Sequence, residues 1–445
     1  MSQKPTRKMI IFVALLITVL LASCAQATPT PVAPAEPEPG AETAAPVEQP
    51  SGPVELSLWT EFTTGGEATG IDAIVAAYNE KNPNVTVNHR PIGNEEFFTV
   101  VRTGLAGGEP PDILQFEGYQ QTRDFAAAGQ LLDITEWWNA NKDRFDLVEA
   151  GEYSCTFEGK VYCIPYSFIT GWQIYYNPEI LEANGIAVPE TFEQFLEAGE
   201  TLKAAGITPI ALGNKDGWPG EHWWMALTVQ RCGVETVYDA IQKQGAKFTD
   251  ECFVQATNDY KNLADNDFFS AGAASDDYGT AQAVFLSGQS AFFQTGGWFA
   301  SGWEQQPPPF EVGIMPFPRW SDSEFTGDII GAITHTVGIP TNAKNPEQAM
   351  DFLEFLSTDE AGQLWAANGN AAVIEGAVDA AAPQVIKDLY TNAKTATNSL
   401  PWIENELPPG IGEDKIYNGT VALLTDSMTS EEFLQSIQTA LEAAE

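Results

Sequence analysis

The chain has 445 residues, of which 61 are acidic and 21 basic, and its formal net charge of −40 disfavours binding to nucleic acid or to anionic lipid surfaces. Apolar residues make up 44% and aromatic residues 11% of the sequence, which excludes a disordered chain. A chain of this length and composition can bury substantial hydrophobic cores and indicates two domains or more.

The first residues have the pattern of a secretory signal. Lys4, Arg7 and Lys8 precede the apolar run 9–21, which is too short for a comfortable membrane span. The run ends in Leu-Ala-Ser-Cys, which resembles a bacterial lipobox and implies that Cys24 is lipidated. The alternative is an ordinary cleaved signal in which Cys24 has no special role.

The lipobox resemblance divides the start of the chain into two segments. Residues 1–23 are the predicted signal peptide, and 24–53 are the lipidated cysteine and a Pro-rich disordered linker without an aromatic residue. The globular part begins near Val54. We therefore expect an exported protein that is attached to the outer face of the cell membrane only through an N-terminal lipid anchor.

Four cysteines remain after the predicted lipidation site, and three pairings of them are possible. A hairpin turning about Gly159 would place Cys155 opposite Cys163, which favours this pair and leaves Cys232 with Cys252. The alternative is four buried thiols. Because no Cys or His spacing indicates zinc, we expect no metal and no cofactor.

Strands and helices alternate in the first part of the globular region. Segments 54–59, 85–89 and 112–116 are predicted strands, and the segments between them have helical apolar stripes. In open α/β sheets ligands bind beyond the carboxyl ends of the strands. The candidate ligand contacts in the loops after these strands are Glu61, Thr63, Thr64, Glu117 and Tyr119.

The segment 161–178 is rich in β-branched and aromatic residues, so we interpret it as extended chain that crosses between two α/β lobes. Segment 329–339 is the predicted return crossing. Thr170 and His335 lie in these crossings and are candidate contacts at the floor of a cleft, because pockets form preferentially at lobe interfaces. For a lone histidine a purely structural role is the alternative.

These crossings define the predicted domains. The first lobe comprises 54–168 plus 338–382, and the second comprises 169–330 plus 383–445. The predicted hinge lies near 165–171 and 331–337.

In the second half, several tryptophans lie beside glycine or proline in predicted loops. Trp218 and Asp216 lie in a glycine-rich loop, and Trp298 follows two glycines after the predicted strand 290–294, with Trp303 shortly after. Glycines allow a ligand to approach the backbone and leave room for the indole face. The alternative is that these tryptophans fill hydrophobic cores.

Two further expectations concern loops. Trp402 and Glu413 are predicted contacts at the rim of the cleft. Asp276 and Asp277 lie in a predicted solvated loop, because the spacing of an EF-hand calcium loop is absent.

A series of segments resembles, in the same order, the extracellular solute-binding proteins of family 1, the sugar receptors of ABC importers. The segments are LWTEF, AYNEKNPNVTV, GEPPDILQF, AAAGQLLDIT, GKVYCIPY, YYNPEILEANGIAVPETFEQFLEAGETLKAAG, LSGQSAFFQTGGWF and VGIPTNAKNPEQAMDFLEFLS. The resemblance covers nearly all of the chain from Val54. It implies an α/β, two-lobed periplasmic-binding-protein-like fold (type II), in which each lobe is a mixed sheet flanked by helices.

The resemblance also implies a function. The chain, as a monomer, would capture a sugar between its lobes and close over it. It would then deliver this sugar, a di- or oligosaccharide, to ABC permease subunits. At the places of Trp298 and Trp218 the family has aromatic residues that stack on sugar. Aromatic planes suit the apolar face of a sugar ring, and carboxylates such as Glu61, Glu117 and Asp216 suit its hydroxyls.

Two other classes of function remain as alternatives. One is a glycan-binding surface lipoprotein that is not coupled to transport, and the other is a secreted enzyme that cleaves glycans with Glu61 and Glu117 as a carboxylate pair. The sequence has no GxSxG, HExxH or P-loop motif, which favours a binding protein over an enzyme.

Overall fold

The structure is a computed structural model that describes residues 52–303, 306–394, 396–408 and 410–444. The predicted signal peptide, Cys24 and nearly all of the predicted linker lie outside these residues. Within the described ranges, no helix is both long enough and apolar enough to cross a membrane.

The described residues form short strands distributed along the chain. They are β1 (Val54–Thr60), β2 (Val85–Pro91), β3 (Ile113–Phe116), β4 (Thr156–Phe157), β5 (Lys160–Val161), β6 (Cys163–Thr170), β7 (Gln173–Tyr176), β8 (Thr208–Ile210), β9 (Ser290–Gln294), β10 (Gly313–Pro316), β11 (Asp328–Gly338) and β12 (Asn398–Leu400).

The α-helices lie between and after these strands. They are α1 (Gly65–Lys81), α2 (Asn94–Gly107), α3 (Tyr119–Ala127), α4 (Thr135–Asn141), α5 (Val148–Cys155), α6 (Pro178–Ala183), α7 (Phe192–Ala204), α8 (Trp218–Ile241), α9 (Glu251–Asp265), α10 (Tyr278–Leu286), α11 (Pro346–Leu356), α12 (Asp359–Ala367), α13 (Ala377–Ala381), α14 (Gln384–Lys394), α15 (Asn418–Leu424) and α16 (Ser430–Ala443). Three 3₁₀ turns (Lys142–Arg144, Gly297–Phe299, Ile403–Asn405) and a π-helical turn (Gly412–Tyr417) complete the described elements.

The first sheet has the strand order β12-β11-β3-β1-β2, with β6 paired to β11. Strand β1 is parallel to β2 and β3, as expected for strands connected through helices, and β11 is antiparallel to β3 and β6. Leu56 and Leu58 alternate with more exposed residues in β1, whereas all four residues of β3 are buried. Strand β3 is therefore central, and the residues after it lie at the inner edge of the sheet.

The second sheet has the order β10-β7-β9-β8. All five residues of β9, which coincides with the predicted strand 290–294, are buried. The two sheets flanked by helices confirm the predicted α/β class.

The predicted crossings are neighbouring strands. Strands β6 and β11 pair antiparallel from Gly331 opposite Thr170 to Gly338 opposite Cys163, and the ladder is irregular on both sides of His335. All eight residues of β6 are buried, as the run of apolar and aromatic residues predicted.

Both predicted disulfides are present, Cys155–Cys163 and Cys232–Cys252. The first closes the expected hairpin, in which β4 and β5 are joined by a turn where Gly159 has a φ of 77°, a value that glycine adopts readily. The pairing therefore follows from the local turn.

Two groups of buried apolar residues form the cores. One surrounds the first sheet and includes Trp138 and Trp365, and the other surrounds α8 and includes Trp223 and Trp224. These four indoles are fully buried, so the core interpretation applies to them. Trp218 differs from its expected loop position, because it is the first residue of α8.

Candidate functional site

Three tryptophans from distant parts of the sequence converge with a histidine and a tyrosine. Ring centroids of Trp218 and Trp298 are 5.9 Å apart, and those of Trp298 and Trp402 are 6.1 Å apart. His222 lies 5.1, 5.8 and 5.3 Å from the three indoles, and Tyr278 lies 4.9 Å from Trp218. We call these five residues the aromatic cluster.

The start of helix α8 positions two members of the aromatic cluster. Gly217 precedes the helix with a φ of 84°, and a Cβ atom there would lie 2.3 Å from the Cβ of Tyr417. Only glycine therefore allows this close approach of two segments. His222 follows Trp218 by four positions, one helical turn, so both side chains lie on the same face.

Trp298 lies in the 3₁₀ turn that follows β9, and a hydrogen bond fixes its ring. Its Nε1 donates to the hydroxyl of Tyr278 over 3.1 Å. Tyr278 begins α10, and the preceding Asp277 caps that helix by accepting a hydrogen bond from the backbone N–H of Thr280. The Trp298 ring remains partly exposed, so it can offer a face to a ligand.

Trp402 precedes the 3₁₀ turn after β12 and is 4% exposed. Its ring packs against Gly171, which connects β6 to β7 between the two sheets. The aromatic cluster therefore lies beside the crossing strands.

Glu61, which follows β1, and Glu67, in the first turn of α1, flank a buried histidine. His335 Nε2 lies 3.5 Å from the carboxylate of Glu61, and Nδ1 lies 3.7 Å from that of Glu67. The side chain of Gln115 donates to Glu61 over 2.9 Å. Burial, and secondarily the charge of Glu61, raises the pKa of Glu67 to about 8.

Glu117, Glu221 and Glu404 form a second acidic group, near Glu61 and Glu67. Burial raises the pKa of Glu117 well above its usual range, and the charges of Glu61 and Glu404 raise it further. Burial also raises the pKa of Glu404 to about 7, although its carboxylate accepts a hydrogen bond from the Tyr417 hydroxyl over 3.0 Å. Glu221 is fully buried, and burial followed by the charge of Glu404 raises its pKa.

The aromatic and acidic groups adjoin each other. Burial raises the pKa of Tyr278 to about 12, and the charge of Glu67 contributes to the increase. Gly66, next to Glu67, packs against Ser301, whose hydroxyl donates to the Trp298 carbonyl over 2.7 Å. Glu404 follows Trp402 by two residues, and Glu221 precedes His222. We call the combined group the aromatic–acidic site: its members are the aromatic cluster with Glu61, Glu67, Glu117, Glu221, Glu404 and His335.

The remaining predicted contacts of the first half have varied positions. Thr63 and Thr64 are exposed in the loop between β1 and α1, beside Glu61. The hydroxyl of Thr170 is buried and donates to the Ile330 carbonyl over 3.3 Å, so it connects the crossing strands. Tyr119 is buried, and its ring centroid lies 5.9 Å from that of Tyr153.

The other predicted contacts of the second half lie outside the aromatic cluster. Asp216 is half-buried immediately before Gly217. Trp303 packs its ring against Tyr175 and Phe299, which belong to the first core. Glu413 is exposed in the π-helical turn, and its charge raises the pKa of Glu404.

His222, Tyr278, Glu67, Glu221 and Glu404 were not among the contacts that the sequence predicted. The spacing of His222 from Trp218 was an available signal, but it required α8 to begin at the tryptophan. The glutamates gave no signal, because acidic residues are numerous in this chain and are rarely buried. In the part of the chain that the structure describes, no group of three or more His, Cys, Asp or Glu residues is arranged to hold a metal ion.

Comparison with known proteins gives the fold. An uncharacterized ABC transporter extracellular-binding protein of Pyrococcus horikoshii is 24% identical over 372 residues, 81% of this chain and 78% of the relative. A multiple sugar-binding protein of Streptococcus mutans is 25% identical over 314 residues, 68% of this chain and 71% of the relative. The solved structure of a chitin oligosaccharide binding protein has a TM-score of 0.78 at 23% identity, covering 88% of this chain and 99% of that chain. The fold is thus the two-lobed α/β fold of the maltose-binding type.

A family model shows which protein family the chain belongs to. It describes the bacterial extracellular solute-binding proteins and matches residues 64–363, more than half of the sequence. This match leads to one conclusion: the chain belongs to the bacterial extracellular solute-binding protein family.

Proposed function

We propose that the chain is the substrate-binding subunit of an ABC importer and that it binds a sugar, a di- or oligosaccharide, at the aromatic–acidic site. The convergence of Trp218, Trp298 and Trp402 is the observation that carries the proposal. Indole faces bind the C–H face of a sugar ring, and the neighbouring carboxyl groups bind hydroxyls. The relatives described as sugar-binding and as an ABC transporter component support this assignment.

The mechanism we propose is closure of two lobes, 54–168 plus 338–382 and 169–330 plus 383–445. Glu61, Glu67 and Glu117 belong to the first, and the aromatic cluster belongs to the second, so a sugar between them contacts both. A ligand that contacts both lobes binds the closed state better than the open one and shifts the population toward it. The permease then receives the closed form.

The proposal also covers the membrane anchor, the oligomeric state and the absence of catalysis. We propose a lipid on Cys24, a monomeric protein on the outer face of the membrane, and binding without catalysis. Family members are binding proteins rather than enzymes, which supports the last point. Adjacent permease genes would favour a transporter subunit over a glycan-binding lipoprotein without transport.

The test is a titration of tryptophan fluorescence and of heat with a panel of mono-, di- and oligosaccharides, using the full chain in mild detergent. We expect saturable binding of one sugar class and no new products in the same mixtures. Trp298→Leu should weaken binding about tenfold or more, because an aromatic contact contributes about 1 kcal/mol beyond its buried area. Trp59→Leu is the matched control, since the Trp59 ring packs against Arg90 on β2. No saturation with any sugar would overturn the carbohydrate assignment, and accumulating products would identify an enzyme.

A further inference from the structure

Four glutamates of the aromatic–acidic site, Glu67, Glu117, Glu221 and Glu404, have no basic counterpart in the part of the chain that the structure describes. Among the described residues, no lysine or arginine forms an ion pair with Glu67, Glu117, Glu221 or Glu404. Burial is the leading cause of the raised pKa of each group, and no basic residue is among the causes. Buried carboxylates are normally paired, but Glu221 is fully buried and the other three are partly exposed, all without a basic partner among the described residues.

The two histidines of the site do not supply that charge. His335 faces Glu61 and Glu67, and His222 Nε2 lies 3.6 Å from Glu221. Burial lowers the pKa of both imidazoles to about 3, so both are neutral at pH 7. Transfer of a proton from Glu67 to His335 would leave the net charge of the pair unchanged.

A second, independent observation comes from the aromatic cluster. His222 is 4% exposed, its ring lies among three indoles, and its Nδ1 has no hydrogen-bond partner among the described residues. An unpartnered polar atom inside an aromatic group indicates that a ligand group completes the site. Aromatic faces together with carboxylates are the chemistry that binds ammonium groups, through cation–π and ionic attraction.

We propose that the solute bound at this site carries a positively charged ammonium group, and that it is an amino sugar with a free amine or a short oligomer of such sugars. The proposal rests on the proposed sugar-binding function and narrows its substrate class. The net charge of −40 acts in the same direction, because it attracts cations to the protein from a distance.

A neutral sugar is the competing ligand. Its hydroxyls can accept hydrogen bonds from protonated glutamates, so it binds without changing their protonation. An ammonium group instead favours the ionised form of the glutamates that it contacts, so its binding releases protons from them. A neutral sugar releases none.

Proton release has a measurable consequence. Glu67 and Glu404 are the donors, since burial raises the pKa of the first to about 8 and of the second to about 7. Glu67 is surrounded by Glu61, His335 and Tyr278. Glu404 is surrounded by Glu221, Glu117, Glu413 and Tyr417. If one proton leaves on binding, the affinity falls about tenfold for each pH unit below neutrality.

The test compares sugars that differ only at one carbon. Isothermal titration of the full chain uses matched sets of a free-amine, an N-acetylated and a hydroxyl sugar, as monomers and as α- and β-linked dimers in gluco and galacto configuration. We expect the free-amine member of one set to bind about tenfold or more tightly than its partners, with proton release seen as a buffer-dependent heat. Tetramethylammonium chloride is titrated alongside.

The outcomes separate the two proposals. Equal or tighter binding of a neutral member overturns the ammonium inference and leaves the sugar-binding function intact. Binding of tetramethylammonium without binding of any sugar supports ammonium recognition and overturns the sugar function. Silence in all titrations overturns both.

Charge-removing variants test the residues. Glu67→Gln and Glu404→Gln keep the side-chain size, and each should abolish most of the preference for the free amine over the hydroxyl sugar and reduce proton release. Glu109→Gln is the matched control, because it makes the same change at an exposed glutamate before β3, outside the aromatic–acidic site. An unchanged preference in both site variants would overturn the inference.

Discussion

The guanidinium of Arg123 forms an ion pair with the carboxylate of Glu406, with 3.0 Å between Nη1 and Oε2. Arg123 lies on α3 after the first sheet's strand β3, and Glu406 follows the 3₁₀ turn that begins beside Trp402. The hydroxyl of Tyr153 donates to the same carboxylate oxygen over 3.2 Å. The pair therefore joins the two segments that carry the acidic and the aromatic groups of the site.

Removal of one partner should destabilise the protein strongly. The Glu406 side chain is 4% exposed, so Arg123→Met leaves a buried carboxylate without its cation. We expect a loss of about 3 kcal/mol in the free energy of unfolding, measured by urea denaturation. The double variant Arg123→Met/Glu406→Leu should recover part of this loss. Equal stability of the wild type and the single variant would show that the pair contributes nothing.

Tyr278 is a positioning residue for Trp298. Tyr278→Phe removes the acceptor of the 3.1 Å hydrogen bond from the indole Nε1. A hydrogen bond of this kind contributes about 1 kcal/mol, so we expect sugar affinity to fall about fivefold and the tryptophan emission to change. Tyr176→Phe is the control, because Tyr176 packs on Gly313 in the second sheet. An effect of equal size in both variants would argue against a specific role.

The ligand-free protein should lose stability as the pH rises from about 6.5 to 8, since below 6.5 the lowered pKa values of His222 and His335 act in the opposite direction. The folded-state pKa values of Glu67 and Glu404, about 8 and about 7, lie above the ordinary value of 4.5, so the folded state binds protons more tightly than the unfolded chain. This contribution is complete below pH 4.5 and is lost as the pH rises through about 8. One unit of pKa difference corresponds to about 1.4 kcal/mol, which calorimetry detects as a shift of the melting temperature. Glu67→Gln should flatten the profile, and a profile with the opposite slope would contradict the assignment.

The two disulfides should contribute unequally. Cys232–Cys252 closes a loop with a sequence separation of 20 and Cys155–Cys163 one of 8. In the chain-entropy model their loss costs about 3.3 and about 2.5 kcal/mol, respectively. Denaturation of the paired Cys→Ser variants measures both values, and a larger loss for the shorter loop would mean that native packing outweighs chain entropy.

The local elements were predictable because their signals are local. Thr191 and Gln194 form a capping box at the start of α7, which a threonine followed three residues later by a glutamine indicates. The hairpin about Gly159 places Cys155 opposite Cys163, which leaves Cys232 with Cys252. The prediction that Trp218 lies in a loop was wrong, because a glycine before it and a proline after it are compatible with both a loop and the first turn of a helix.

The site was predictable only in part. Glycine neighbours singled out Trp218 and Trp298, and the structure brings both together with Trp402. The burial of Glu221 and Glu404 depends on contacts between segments almost 200 positions apart, and no local pattern reports such contacts. Their role in the site, like that of the tryptophans, stays a prediction until a ligand is titrated.

The pairing of β6 with β11 also restricts how the protein can move. Two separate linkers would allow one half of the molecule to twist, tilt and slide against the other. Two of the three predicted connections between the lobes belong here to a single hydrogen-bonded ladder, which is irregular on both sides of His335. For the lobe closure proposed above, we expect bending to be concentrated at this irregularity, and His335, which lies there, also faces the carboxylates of Glu61 and Glu67.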